Sequence, residues 1–385
     1  MKIVLAFDSF KGCLSSREII QIASTAIKKI IPQATICGFI IADGGEGTID
    51  ALIAAWQGKI ICEAFHNLEG LPQLAKLGFS SELCILECAQ TLGLAQSTRE
   101  QVELKTSRGL AEQIKFALNL GYRKFVIGLG GSGTNDAGLG MLEELGYRFF
   151  DSDGKPVAGL LKNIAQIVQI DVHKVDPRLS ETQFTILSDV TNPLCGINGA
   201  SFVYGPQKGV RDEQVAEFDR GLFNFSQVSA DFAGFNAANL AGAGAAGGLG
   251  YAFLQFLNTQ LVSGVEYLLN ALQIDTAIQA ADLVFTGEGQ SDAQTAQGKV
   301  ALGVAIRAKL YNKPVLLISG ALRPEAYQLH QHGIDFITSI QDYPAQLEQV
   351  MQAEVAAKLL GQRIEESLRL LLIGRSLSNK VSEHS

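Results

Sequence analysis

The sequence is poor in several things that would settle its class at once. It has 9 prolines, one tryptophan, three methionines and five histidines in 385 residues. So little proline beside 40 glycines excludes a linker-rich chain and points to many tight strand-to-helix turns. Basic residues are not in excess: 31 Lys+Arg against 39 Asp+Glu give a net charge of −8. That balance excludes the basic stripe of a nucleic-acid binder, though not a local pocket for a small anion. No apolar run approaches the ~18 residues of a membrane span. The opening Met1–Phe7 meets a carboxylate, Asp8, after about six apolar residues, which reads as a first strand and not a signal peptide. A cytoplasmic protein is expected.

Chemical signatures are missing too. The six cysteines, Cys13, Cys37, Cys62, Cys84, Cys88 and Cys195, contain no CxxC pair. In a chain of this length they read as small buried thiols, not as a disulfide framework. Gly58-Lys59 and Gly298-Lys299 lack the Ser or Thr of a P-loop, and no GxSxG elbow occurs. His66 and His173 are isolated, while His330 and His332 lie two apart. A zinc pair on one helix face wants a spacing of four, so no zinc site is expected.

What is present is an α/β rhythm. Hydrophobic residues make up 47% and charged residues 18%, which excludes disorder. Residues 2–7 predict a buried strand. Ser15-Ser16-Arg17-Glu18 predicts a capping box for the helix that follows. A strand over 35–41, a turn at Gly44–Gly47 and a helix over 48–56 continue the pattern. Near the other end, strands over 283–285, 315–319 and 336–340 alternate with helices over 300–309 and 346–372. The middle adds strands over 83–87, 124–128 and 184–188. The expected architecture is a Rossmann-like parallel-sheet domain, 1–75 plus 281–385, with a second α/β domain, 76–280, inserted in the middle of the chain.

Two segments fit GxGxxG. Gly128–Gly133 follows a strand and precedes a helix expected near 136–145, the context in which backbone N–H groups hold a phosphate. Gly242–Gly247 has no strand before it, so close helix packing stands beside phosphate binding as its explanation. A dinucleotide site wants an acid about 20 residues on. Asp151 and Asp153 fit by count but sit in a turn.

Carboxylates recur directly beyond strands, among glycines. Asp8 follows the first strand, and Asp43 the second. Asp189 opens DVTNP, and Glu288 with Asp292 lies in GEGQSD. In open α/β sheets ligands bind outside the carboxyl ends of the strands. Acids gathered there suit Mg2+ with phosphates or a base for a hydroxyl proton, and singly each also suits a helix cap. Lys11, Arg108 and Lys208 stand beside glycine-bearing turns, where an anion is the natural partner. Glycine loops, acids and lysines together fit phosphoryl transfer.

These segments resemble the type I glycerate kinase family, which phosphorylates glycerate with ATP. The matching runs are DSFKG (8–12), ADGGEGT (42–48), TSRG (106–109), GGSGTNDAG (130–138), SDVTNPLCGINGAS (188–201), GPQKG (205–209), GAGAAGGLG (242–250) and TGEG with Asp292 (286–292). They occur in family order over roughly residues 2–340. Phe7, Gly133 and Gln290-Ser291 depart from the usual family residues. The resemblance implies a two-domain kinase acting on (R)-glycerate, with the site in the cleft between domains and 2-phosphoglycerate as product. The alternatives are the 3-phosphate, a dehydrogenase using Gly128–Gly133, or a silent sugar-acid binder. ATP would dock on Gly130, Gly131, Ser132, Gly133, Gly244 and Gly247. Asp189, Lys11 and Asp292 would be catalytic, with Asp189, Glu288 and Asp292 holding Mg2+. Asp8, Ser9, Asp43, Arg108, Asn192 and Lys208 would bind substrate. The expected partner is a small molecule, with neither nucleic acid nor membrane, in a monomer or homodimer.

Overall fold

A computed structural model describes residues 1–293, Thr295 and residues 299–382. The chain forms two compact units, Met1–Asp43 with Leu268–Ser385, and Gly44–Tyr267. Each has its own apolar core. The chain therefore crosses between units at 43/44 and 267/268, against 75/76 and 280/281 in the sequence reading. The first difference has a local cause: residues 59–79 form a hairpin that pairs with the sheet of the second unit.

In unit 1, β1 (Lys2–Phe7) is an apolar strand buried over its last five residues. Helix α1 (Ser16–Ile30) starts at the expected capping box: Ser15 accepts from the Glu18 N–H, and the Glu18 side chain answers. Ser16 ties α1 to the sheet, its Oγ donating to the Phe7 carbonyl at 2.7 Å. Strand β2 (Thr35–Ile40) then pairs parallel to β1, with Lys2 opposite Thr35.

Unit 2 follows. Helix α2 (Thr48–Trp56) leads into the hairpin β3 (Lys59–His66) and β4 (Pro72–Phe79), then β5 (Leu83–Glu87). Helices α3 (Ala89–Leu92) and α4 (Arg108–Asn119) precede β6 (Lys124–Gly128). Helix α5 (Leu139–Glu144) precedes a small sheet of β7 (Arg148–Phe150), β8 (Pro156–Val157) and β9 (Gln169–Asp171). Strand β10 (Gln183–Leu187), helices α6 (Ala200–Lys208), α7 (Asp212–Ala233) and α8 (Ala245–Phe256), and β11 (Thr259–Val262) complete the unit. The main sheet runs β11-β10-β6-β5-β4-β3. It is parallel except for the hairpin. Phe125 and Phe184 stack across adjacent strands, 5.2 Å apart. A Cβ on Gly44 would lie 3.3 Å from the Gly264 Cα, so unit 2 begins and ends at one place.

Helix α9 (Gly264–Ala271) carries the chain back to unit 1. There α10 (Ile274–Ala280), β12 (Leu283–Gly287), the two-residue β13 (Gln290–Ser291), α11 (Val300–Leu310), β14 (Val315–Ser319), the two-residue β15 (Ala321–Leu322) and β16 (Phe336–Ser339) follow. The five-stranded sheet is ordered β16-β14-β12-β1-β2, and every pair in it is parallel. This is the expected Rossmann-like sheet. The one long helix expected over 346–372 is instead two, α12 (Leu347–Val350) and α13 (Ala353–Ser382). No proline or glycine marks the break.

Two further expectations need correction. The helix after Gly133 begins at Leu139, because the buried Asp136 carboxylate takes the N–H groups of Gly138 and Gly140. Only Cys84 and Cys88 are buried; Cys37 and Cys62 are exposed because they lie on the edge strands β2 and β3. Among the described residues no helix is long and apolar enough to cross a membrane.

Candidate active site

The sheet of unit 1 has a topological switch point. From β1 the chain moves to β2 on one side, and it later fills β12, β14 and β16 on the other. The carboxyl ends of β1 and β12 flank that point, where open α/β sheets bind ligands. Asp8 follows β1 and Glu288 follows β12. The Asp8 N–H donates to the Gly287 carbonyl at 2.9 Å, which sets the two acids on neighbouring strand ends. Gly287 itself can carry no side chain: a Cβ would lie 1.8 Å from the Ile318 carbonyl.

A cavity of about 390 Å3 opens there. Its polar side includes Asp8, Lys11, Asp43, Glu288, Asp292 and Lys299. Asp8 is buried, and burial pushes its pKa up to about 7, with the Asp43 charge adding to the effect and Lys11 and the Ser9 N–H opposing it. Glu288 is also held above its ordinary range by burial. Its Oε1 accepts from Thr295 Oγ1 at 2.6 Å and Ser291 Oγ at 2.9 Å, and Lys299 Nζ lies 3.6 Å from Oε2. Lys11 Nζ lies 2.9 Å from Asp43 Oδ2. Asp292 accepts from Gln290 Nε2 at 3.1 Å. Ser9 sits beside Asp8, its N–H 2.7 Å from Asp8 Oδ1. Asp8, Ser9, Lys11, Asp43, Glu288 and Asp292, singled out from the sequence, thus share one cavity.

The remaining residues singled out from the sequence lie in unit 2. Asp189 follows β10, and its carboxylate takes Ser263 Oγ at 2.6 Å and the Val265 N–H at 3.4 Å, so it caps α9. Asn192 is bonded at both ends of its amide, donating to the Asn198 carbonyl and accepting from Tyr204 Oη at 2.7 Å. Two of the basic residues are not in loops. Arg108 is the first residue of α4, and its Nε contacts Glu112 at 2.9 Å and Glu144 at 3.2 Å. Lys208 is the last residue of α6 and is buried. Its Nζ donates to the Thr134 carbonyl at 2.7 Å and lies 3.5 Å from Ser132 Oγ, and burial lowers its pKa to about 8.

The glycine segments are packed closely against backbone and side-chain atoms. A Cβ on Gly130 would lie 2.7 Å from the Gly45 Cα, and one on Gly133 2.8 Å from Leu68 Cδ1. One on Gly244 would lie 2.3 Å from the Pro193 carbonyl, and one on Gly247 2.0 Å from that of Thr134. Gly131 has φ +78°. Tight packing accounts for Gly130, Gly133, Gly244 and Gly247, and the positive φ for Gly131. The dinucleotide reading of Gly128–Gly133 finds no support, because its short helix starts six residues after Gly133.

Sequence reasoning missed four polar residues. Thr295 and Lys299 contact Glu288 directly, and Ser319, the last residue of β14, reaches it through Ser291, whose Oγ lies 2.7 Å from Ser319 Oγ. Glu87 ends β5, and its oxygens take the Ile49 N–H at 2.7 Å and Gln90 Nε2 at 2.9 Å. Gly47, the N-cap of α2, has no side chain with which to cap it. Glu87 supplies the missing acceptor from another strand, and burial pushes it up to about 7.

Two α/β units, one with carboxylates and lysines gathered at a switch point, define an α/β enzyme. Comparison with known proteins narrows the class. The sequence model described as the glycerate kinase family matches residues 3–372. Glycerate kinase of Haemophilus influenzae is 41% identical over 88% of this chain and 91% of its own length. Glycerate 2-kinase of Escherichia coli is 39% identical over 88% and 90%. A crystal structure from Salmonella typhimurium LT2, provisionally named glycerate kinase 2, matches 98% of this chain and 99% of its own, with 36% identity and a TM-score of 0.82. The chain belongs to the glycerate kinase family.

Proposed function

We propose that the protein transfers the γ-phosphoryl group of ATP to the 2-hydroxyl of (R)-glycerate. Family membership makes it a kinase for glycerate, and the name of the E. coli relative carries the 2-position. Neither 3-phosphorylation nor a dehydrogenase reaction gains comparable support. The observation that carries the site assignment is the pairing of Asp8 with Gly287. It brings the acids of two strand ends into one cavity at the switch point.

In the reaction the hydroxyl oxygen bonds to Pγ, the Pγ–O bond to ADP breaks, and the hydroxyl proton leaves. Asp189 takes that proton in our reading, held in place by Ser263 and the Val265 N–H. Lys11 and Lys299 supply positive charge toward the phosphates. Among the described residues no three His, Cys, Asp or Glu form a ready metal cage. Mg2+ carried with a nucleotide needs only one or two carboxylates, its other ligands being phosphate and water oxygens. The crowded acids of this cavity fit that demand: Glu288 and Asp292 would hold the ion, which would neutralise phosphate charge. Asp8, Ser9 and Asp43 then serve to orient substrate.

The test is a coupled ATP-consumption assay with D-glycerate and Mg2+, with phosphorus NMR of the product. Turnover giving a 2-phosphate supports the proposal. Absence of turnover in folded protein overturns it, and a 3-phosphate overturns the regiochemistry.

A further inference from the structure

The cavity of unit 1 has a lining of two kinds. Beside the acids and lysines it includes the apolar residues Phe10, Ile340, Leu347, Val350 and Met351. Glycerate has no use for that apolar lining. It bears an oxygen on every carbon and presents no apolar face. At about 390 Å3 the cavity is within the ~300–1,000 Å3 range of sites for larger ligands. Two of its apolar residues are left in water, Leu347 at 62% and Met351 at 39% exposure, and covering them would be favourable.

We propose that this apolar lining receives the purine base of the nucleotide, with the phosphates toward Lys11 and Lys299. The inference rests on the kinase reading and adds to it the place of the base. A purine is flat and apolar on both faces, with donors and acceptors at its edge. Phe10, Ile340 and Val350 are buried side chains that form a firm wall for one face. Leu347 and Met351, at and just beyond α12, cover the other. Gln341 lines the same cavity, and a carboxamide can both donate to and accept from the edge of adenine. Its backbone N–H is already given to Ser339 Oγ at 3.1 Å, which fixes the turn that presents it. Leu347, Val350 and Met351, at positions i, i+3 and i+4 along α12 and its C-cap, line the cavity together. The assignment moves the base away from Gly130–Gly133 and Gly244–Gly247, where close packing fills the space beside the glycines.

Cys13 provides the test, since it lines this cavity while Cys37 and Cys62 are exposed on edge strands. Alkylation of the whole protein is followed by mass spectrometry at each cysteine. MgATP is expected to slow alkylation of Cys13 at least fivefold. Magnesium tripolyphosphate, which lacks the base, leaves it within twofold, and Cys37 and Cys62 serve as unchanged references. Equal protection by tripolyphosphate, or none by MgATP, overturns the proposal. A second measurement uses Leu347→Ala with Met351→Ala, both at exposed positions, with a thermal melt to check that the variant is folded. The KM for ATP should rise about tenfold and that for glycerate less than twofold. An unchanged KM for ATP overturns the assignment. If the wild-type protein turns glycerate over but Cys13 is not protected, the base site fails and the kinase reading stands. If MgATP protects Cys13 but glycerate is not phosphorylated, the kinase reading fails instead.

Discussion

The Lys11 ammonium lies 2.9 Å from the Asp43 carboxylate, joining the turn after β1 to the turn after β2. The lysine side chain is 61% exposed, and exposed pairs of this kind contribute at most about 1 kcal/mol. The pair therefore contributes little to stability, and the proposed role of Lys11 is to supply charge toward the phosphates. Lys11→Ala should lower kcat/KM for ATP by about 10- to 100-fold while the melting temperature moves by no more than about 2 °C. Steady-state kinetics and a thermal melt on one sample check both halves.

Asp189→Asn should keep the fold, because an amide oxygen can still accept from Ser263. It removes the proposed proton acceptor, so kcat should fall on the order of 10²-fold or more with little change in KM. Near-normal turnover of the folded variant would remove Asp189 from the chemistry.

Glu87 makes stability depend on pH. Its pKa is raised from 4.5 to about 7 chiefly by burial, so the folded state favours the protonated acid. Its stabilising contribution is full below about pH 4.5 and is lost as pH rises through 7. Glu87→Gln, which keeps an acceptor for the Ile49 N–H, should be close to wild type at pH 5. At pH 8 it should be more stable, on the order of 2–3 kcal/mol. Urea unfolding at the two pH values measures the difference; a gap that does not widen with pH contradicts it.

Lys208 fills interior space and satisfies the Thr134 carbonyl. Lys208→Ala leaves a cavity and an unpaired acceptor, for an expected cost of about 2–4 kcal/mol. Denaturant unfolding reads it directly. A loss of activity without a loss of stability would instead return Lys208 to an anion-binding role.

Much of the fold is legible from local chemistry. The β1 run and the Ser15–Glu18 box need only their own neighbourhood to form, and both appear where the sequence predicts them. The hairpin over 59–79 is not legible in that way. Strand β3 is exposed along most of its length, so it shows no buried apolar run, and only its register with β4 makes it a strand. That hairpin also sets where unit 2 begins. At the site, acids following strands are visible as a pattern, and Asp8, Asp43, Glu288 and Asp292 do meet. Arg108 and Lys208 illustrate the limit. A cation near a glycine looks free in a sequence, but Glu112, Glu144 and the Thr134 carbonyl come from elsewhere in the chain. Glycine runs read two ways for the same reason, since close packing and phosphate binding demand the same residue.

The parallel pairing of β1 with β12 has a consequence for synthesis on the ribosome. Phe7 and its partner Gly287 are separated by roughly 280 residues, and translation at ~5–20 residues per second takes about 14–56 s to cover that gap. During that time β1 can pair only on its β2 side, and its other edge is an open row of backbone donors and acceptors. Unit 2 is complete before the missing neighbour appears, and its ends meet at Gly44 and Gly264. It can thus condense first and bring the late strands back to the waiting edge. Nascent chains halted before residue 283 should be the aggregation-prone species, and the full-length chain should not.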